Sequence, residues 1–270
     1  MLYTTVTVSD FSDTHYIQKL QELEVGIELA LLAKLSDTPQ EKDLIALQEE
    51  IEQFLDCFDQ FNIPLHEVRI HQPGGYFYNW SEGQNFDGLK DFFLFCAQKG
   101  FKQFVIHTPY GSAAIDQDAE LKIYREKLQD LAACVHQLEV EEITASCSGE
   151  RCYNGKLFEN LMYGQKATVL LDVHECGGVE KTVKRLAHLQ TNGFAIKSIH
   201  IHKDKHKFLT PEELNKLLQS GFSGDIVNEG FIKADGSFDQ FVQTKSLDLV
   251  VANDQRVEII RGYKDLIGLN

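Results

Sequence analysis

Apolar and polar positions along this chain fall into two rhythms. Short runs alternate residue by residue, and longer segments repeat their apolar residues every three or four positions. Eight short runs read as strands: YTTVTV (3–8), VGIELAL (25–31), LHEVRIH (65–71), KQFVIH (102–107), EITASC (142–147), TVLLDVH (168–174), SIHIH (198–202) and GDIVNE (224–229). Helical patterns lie between them. DLIALQEEIEQFLDCFDQF places Leu44, Leu47, Ile51, Leu55 and Phe58 on one stripe, as an amphipathic helix requires. GLKDFFLFCAQKG ends in a helix-stopping glycine, and AELKIYREKLQDLAACVHQL reads as another long helix. TPEELNKLLQSG carries a threonine cap, a first-turn proline, early glutamates and a closing glycine. The last stretch, SLDLVVANDQRVEIIRGYKDLIGLN, is ambiguous at LDLVVA and finishes as an amphipathic helix.

Strict alternation of strands and helices implies parallel pairing, because a parallel return needs a crossover of a dozen or more residues. Eight such units in 270 residues predict an α/β chain folded as a closed (β/α)8 barrel. A doubly wound open sheet would carry a glycine-rich phosphate loop after an early strand, and none occurs. No Pro/Gly/Ser-rich linker divides the chain, so residues 1–270 read as one barrel domain.

Composition narrows the function. The formal net charge is −15, which disfavours nucleic acid as a partner, since phosphate binding needs a concentrated cationic surface. The longest apolar runs fall far short of the roughly 20 residues of a membrane span. MLYTTVTVSDF reads as a strand and lacks the basic and apolar segments of a secretion signal. The six cysteines form no Cys-x-x-Cys pair and are expected to be reduced thiols of a cytoplasmic protein. The sequence leaves open whether the chain forms a homo-oligomer.

In a barrel of this kind the active site sits where the strands end. Strand three ends at His71, strand four at His107, strand six at Asp172 and His174, strand seven at His200 and His202, and strand eight at Glu229. A single strand-end histidine is ordinarily a rim residue bonded to a backbone carbonyl. Four strands ending in histidine and two in carboxylate instead form a ligand set for a divalent metal ion. Asp-x-His and His-x-His also place both ligands of each pair on one strand face.

RIHQP, VIHTP, LLDVHE, SIHIH and IVNEG resemble the successive strand ends of the xylose isomerase-like TIM barrels, the superfamily of sugar-phosphate isomerases/epimerases and AP endonucleases. The resemblance spans nearly the whole chain and implies one Mn, Zn, Co or Mg ion. Its ligands would be a strand-five glutamate, Asp172, His200 with His202 as the alternative, and Glu229. Glu150 is the expected strand-five residue. Glu159 lies only 13 residues before Asp172 (172 − 159), too close to leave room for a crossover helix. The implied reaction is proton transfer next to the carbonyl of a sugar or sugar phosphate through an enediolate, with Glu150 and Glu229 as proton acceptor and donor. His71, His107, His174 and Lys203 would contact the substrate.

The pattern departs from the superfamily after strand six, where His174 stands one position earlier than the usual Asp-x-x-His and Glu175 occupies the third place. Two alternatives therefore stay open. One is a phosphodiester hydrolase of the AP endonuclease type, with His71 and His107 as ligands of further ions. The other is a barrel that binds without turnover. KDKHKF, with Asp204 and His206, reads as a solvated loop whose lysines could hold an anion. Tyr76, Phe77, Tyr78 and Trp80 either cover a sugar ring or pack their loop.

Overall fold

The computed structural model describes residues 1–33, 35, 40–74, 77, 83–108, 117–142, 155–202, 208–229 and 246–269. Its strands are β1 (Leu2–Val6), β2 (Gly26–Leu29), β3 (Val68–His71), β4 (Gln103–His107), β5 (Gln137–Glu141), β6 (Thr168–Asp172), β7 (Ile196–Ile201) and β8 (Asp225–Asn228). All pair in parallel with their sequence neighbours, and β8 closes on β1, giving an eight-stranded barrel. Eight helices follow the strands: α1 (Thr14–Glu22), α2 (Glu41–Phe61), α3 (Gly83–Gln98), α4 (Gln117–Cys134), α5 (Gly155–Met162), α6 (Val179–Thr191), α7 (Pro211–Leu218) and α8 (Ser246–Leu269). The molecule is therefore the (β/α)8 barrel that the hydrophobic pattern predicts.

Alternation along each strand separates two environments. Ile27, Leu29, Val68, Ile70, Phe104, Ile106, Leu138, Val140, Val169, Leu171, Ile199 and Ile201 face outward. They join Leu47, Ile51, Phe54, Phe93, Leu128, Phe158, Leu186 and Ile260 of the helices in one continuous apolar layer. Residues one position along face the barrel interior. There the buried set includes Glu28, Arg69, Glu139, Ser198 and His200 alongside Tyr3, Val105, Leu170 and Val227. A polar interior is what later sets this barrel apart, because such interiors are commonly filled by branched apolar side chains.

Local chemistry fixes the helix starts. Thr210 Oγ1 accepts from the Glu213 amide at 3.3 Å, and Glu213 Oε2 accepts from the Thr210 amide at 2.8 Å, a reciprocal cap that starts α7 as expected. Gly178 (φ 107°) makes the turn from β6 into α6, a backbone conformation that costs a β-carbon dearly.

The structure moves one strand. The fifth lies at Gln137–Glu141, ahead of the expected 142–147, of which 143–147 lie outside the described residues; α4 stops at Cys134 and the strand starts three residues later. Its inward positions are two buried glutamates, Glu139 and Glu141. Two acids in five residues look like a solvated helix face unless the barrel interior is known to be polar. Two smaller differences follow the same logic of local sequence: residues 65–67 form a 3-10 turn ahead of β3, and LDLVVA is part of helix α8.

Candidate functional site

Because every strand runs the same way, its last inward residue reaches the same mouth. Register brings the strand ends level: His107 is opposite Glu141, and Asp172 is opposite His200. His71, His107, Asp172, His200, His202 and Glu229 all arrive there, with Glu141 added from β5. His202 Nε2 lies 2.8 Å from Asp172 Oδ2 and 3.3 Å from Glu229 Oε2. His200 Nδ1 lies 3.2 Å from Glu229 Oε1 and 3.6 Å from Glu141 Oε2. The same Glu141 oxygen is 3.0 Å from His107 Nε2 and 3.3 Å from His71 Nε2.

These contacts define overlapping clusters of potential ligand atoms that lie within 4.8 Å of one another: Glu141, Asp172 and His200; His71, His200 and Glu229; Asp172, His202 and Glu229; His71, His107 and Glu141. Both strand-seven histidines belong to these clusters. His174, just beyond β6, sits with its ring centroid 5.3 Å from that of His202, on the rim. Asp172 is further fixed by the Glu175 amide, which donates to Oδ1 at 2.8 Å. The residue that stands where the Asp-x-x-His pattern expects an imidazole thus contributes its backbone to orienting the strand-six carboxylate.

The electrostatics fit a cation. Burial works against charge on both partners, yet the imidazoles of His107 and His200 hold the Glu141 carboxyl well below its ordinary range. Burial likewise opposes the charged form of His200, and the carboxylates of Glu229, Glu28 and Glu141 override it, raising the imidazole well above its usual value. Glu229 is depressed by His200 and His202 in the same way, again against the cost of burial. His200 Nδ1 is buried and lies close to two carboxylates, Glu229 and Glu141. A buried imidazole nitrogen aimed between carboxylate oxygens is a donor arrangement that suits a divalent ion, with acids and imidazoles in a Zn- or Mn-type mixture.

Glu150 and Lys203, together with Asp204, His206, Tyr76, Tyr78 and Trp80, lie outside the described residues. Phe77 is fully buried. Glu159 lies on α5, where its carboxylate pairs with Arg185 and His188 of α6, as the interval to Asp172 requires. The strand-five carboxylate of the described site is Glu141. Its signal was present in QLEVE, whose Leu138 and Val140 alternate with Glu139 and Glu141.

The fold is that of the (β/α)8 barrels. Its solved likenesses are of that kind: 3-keto-D-glucoside 4-epimerase from E. coli (TM-score 0.59, 12% identity, 96% of this chain and 98% of that one) and a D-tagatose 3-epimerase-like protein (TM-score 0.57, 13% identity, 98% of each chain). A more distant barrel, 4-hydroxy-tetrahydrodipicolinate synthase from Methylacidiphilum fumariolicum, matches at TM-score 0.52 and 13% identity over 84% of this chain and 66% of that one. At such identities the likeness is one of fold, and chemistry has to be argued from the site. No protein-family profile matches the chain. No curated protein sequence matches it either.

Proposed function

We propose that the protein is a metal-dependent isomerase or epimerase of a small sugar or sugar phosphate. The observation that carries this reading is the overlap of ligand clusters from four consecutive strands: Glu141, Asp172 and His200 form one, Asp172, His202 and Glu229 another, and His200 Nδ1 faces both Glu141 and Glu229. A divalent ion held among Glu141, Asp172, His200 and Glu229 would act as a Lewis acid, polarising a substrate carbonyl so that the neighbouring C–H becomes acidic enough to ionise. The chain's own residues do the rest. Glu141 and Glu229 enter from strands three apart around the ring and offer carboxylate oxygens on two sides of the site. In that placement one takes the proton and the other returns it. His202 holds the Asp172 and Glu229 carboxylates in place, and His174 at the rim is within reach of substrate hydroxyls. The resemblance of fold to sugar epimerases agrees with a small polar substrate.

A second reading rests on its own observation. His71 and His107 approach the same Glu141 oxygen that faces His200, and His71, His107 and Glu141 form a ligand cluster of their own, so that Glu141 could be shared by two ions, the arrangement that serves phosphodiester hydrolysis. The charge of −15 weighs against a nucleic-acid substrate, and the test separates the two chemistries. Zinc-, manganese- or cobalt-loaded protein is incubated in D2O with a panel of free and phosphorylated ketoses, and with a phosphodiester. Deuterium entering next to the sugar carbonyl, lost in Asp172→Ala and His200→Ala, supports the isomerase. Phosphodiester cleavage without any exchange would replace it with the hydrolase.

A further inference from the structure

Directly beneath the strand-end site lies a fully buried layer of charge that none of the steps above uses. Arg69 Nε is 3.1 Å from Glu28 Oε2, and an Arg69 terminal nitrogen is 3.2 Å from Glu139 Oε2 and 3.1 Å from Ser198 Oγ. Ser198 also hydrogen-bonds Glu139, and the guanidinium lies 5.2 Å from the Tyr3 ring centroid. Glu28, Arg69, Glu139 and Ser198 are each 0% exposed. Burying two carboxylates and one guanidinium costs several kcal/mol per ion by the usual order of magnitude, and apolar side chains would fill the same layer more cheaply. One arginine, moreover, is matched by a single acid. Glu139 with Ser198 already satisfies one edge of it, so Glu28 is the surplus carboxylate.

The surplus has a direction. The Glu28 oxygen that meets Arg69 is also 3.4 Å from His200 Nε2, while the other ring nitrogen, Nδ1, faces Glu141 and Glu229 in the mouth. We infer that Glu28 is the positioning residue of His200: it accepts the Nε2 hydrogen, locks the ring, and leaves Nδ1 bare toward the ion. This inference rests on the metal-dependent reading of the site. A histidine ligand is set by the hydrogen bond that its second nitrogen makes, and loss of such a partner typically weakens metal binding 10- to 100-fold. Arg69, itself held by Glu139, plays the supporting part of keeping the Glu28 carboxylate in its orientation.

The test uses the full chain and two measurements. Zinc affinity of wild type and Glu28→Gln is measured by chelator competition, with circular dichroism and thermal unfolding to establish that the variant is folded. The expected result is a 10- to 100-fold weaker affinity in a folded variant. In parallel, long-range nitrogen NMR on 15N-histidine-labelled wild type reads which His200 nitrogen carries the proton, both zinc-loaded and in the zinc-free protein at a pH where the ring is neutral. A proton on Nε2 in both states is expected. A proton on Nδ1, or a folded Glu28→Gln that binds zinc within about twofold of wild type, would overturn the assignment. If Glu28→Gln does not fold, the wild-type NMR result decides alone. Wild type that takes up no zinc would instead refute the metal reading, while the zinc-free NMR still judges the role of Glu28.

Discussion

Three imidazoles converge on Glu141. One of its oxygens meets His71, His107 and His200, from β3, β4 and β7, which leaves the carboxylate ionised despite complete burial. Glu141→Gln keeps the volume and removes the charge, so zinc affinity should fall by at least about 100-fold, measured by chelator competition. The raised His200 imidazole adds a pH dependence. Below its shifted value the ring is protonated, and an ion must displace that proton. Apparent affinity should therefore rise about tenfold per pH unit across the range beneath that value and then level off. Calorimetry in buffers of different ionisation enthalpy should record close to one proton released per ion near neutral pH. No proton release would mean that His200 is not a ligand.

At the scale of elements, the end of β5 is held from outside by α5 and α6. Arg185 on α6 donates to both oxygens of Glu142 and to Glu159 of α5. Glu142 directly follows Glu141 and its side chain is 0% exposed. Burial pushes the Glu142 carboxyl up, and Arg185 only partly offsets this. Arg185→Ala leaves that acid without its counter-ion and should cost about 3–5 kcal/mol in urea unfolding near neutral pH. The sign with pH follows from the raised carboxyl: the unpaired acid is tolerated when protonated, so the loss should shrink as pH falls toward 5 and grow as pH rises. A pH-independent loss would mean that Arg185 acts through packing alone.

Most strands were legible because their outward residues are apolar and their inward ends carry imidazoles, as VRIH, FVIH and SIHIH show. The fifth was not, since QLEVE puts two glutamates on the inward face, and nothing local says that this face meets Arg69 and three histidines rather than water. Asp172, His200, His202 and Glu229 could be found by position alone. Glu28 could not, because it lies mid-strand in VGIELAL, where only the packed barrel shows that it touches His200.

Across the whole molecule, the barrel has one seam where its two ends meet. There β8 pairs with β1, and Asp225 at the start of β8 accepts from the chain's amino group at 2.7 Å and pairs with Lys197 of β7 at 2.8 Å. Burial raises the Asp225 carboxyl, but Lys197 and the amino group outweigh it, so the net shift is downward. A carboxylate depressed in the folded state adds stability above its unfolded value of about 3.9, and that stability is lost as pH falls through the folded value. Asp225→Asn should lower stability by at most about 1 kcal/mol at pH 7, because Lys197 is over a third exposed and solvent screens the pair. The difference from wild type should vanish in acid, and thermal unfolding across that range checks it.

The proposed chemistry requires an ion at the barrel mouth, held among Glu141, Asp172, His200 and Glu229. The most direct measurement is an anomalous difference map from crystals grown with zinc, collected on both sides of the zinc absorption edge. The expected result is a peak bonded to side chains of those four residues, with any second peak lying between Glu141, His71 and His107. A mouth with no anomalous density in zinc-saturated crystals, or zinc bound only elsewhere, would contradict it.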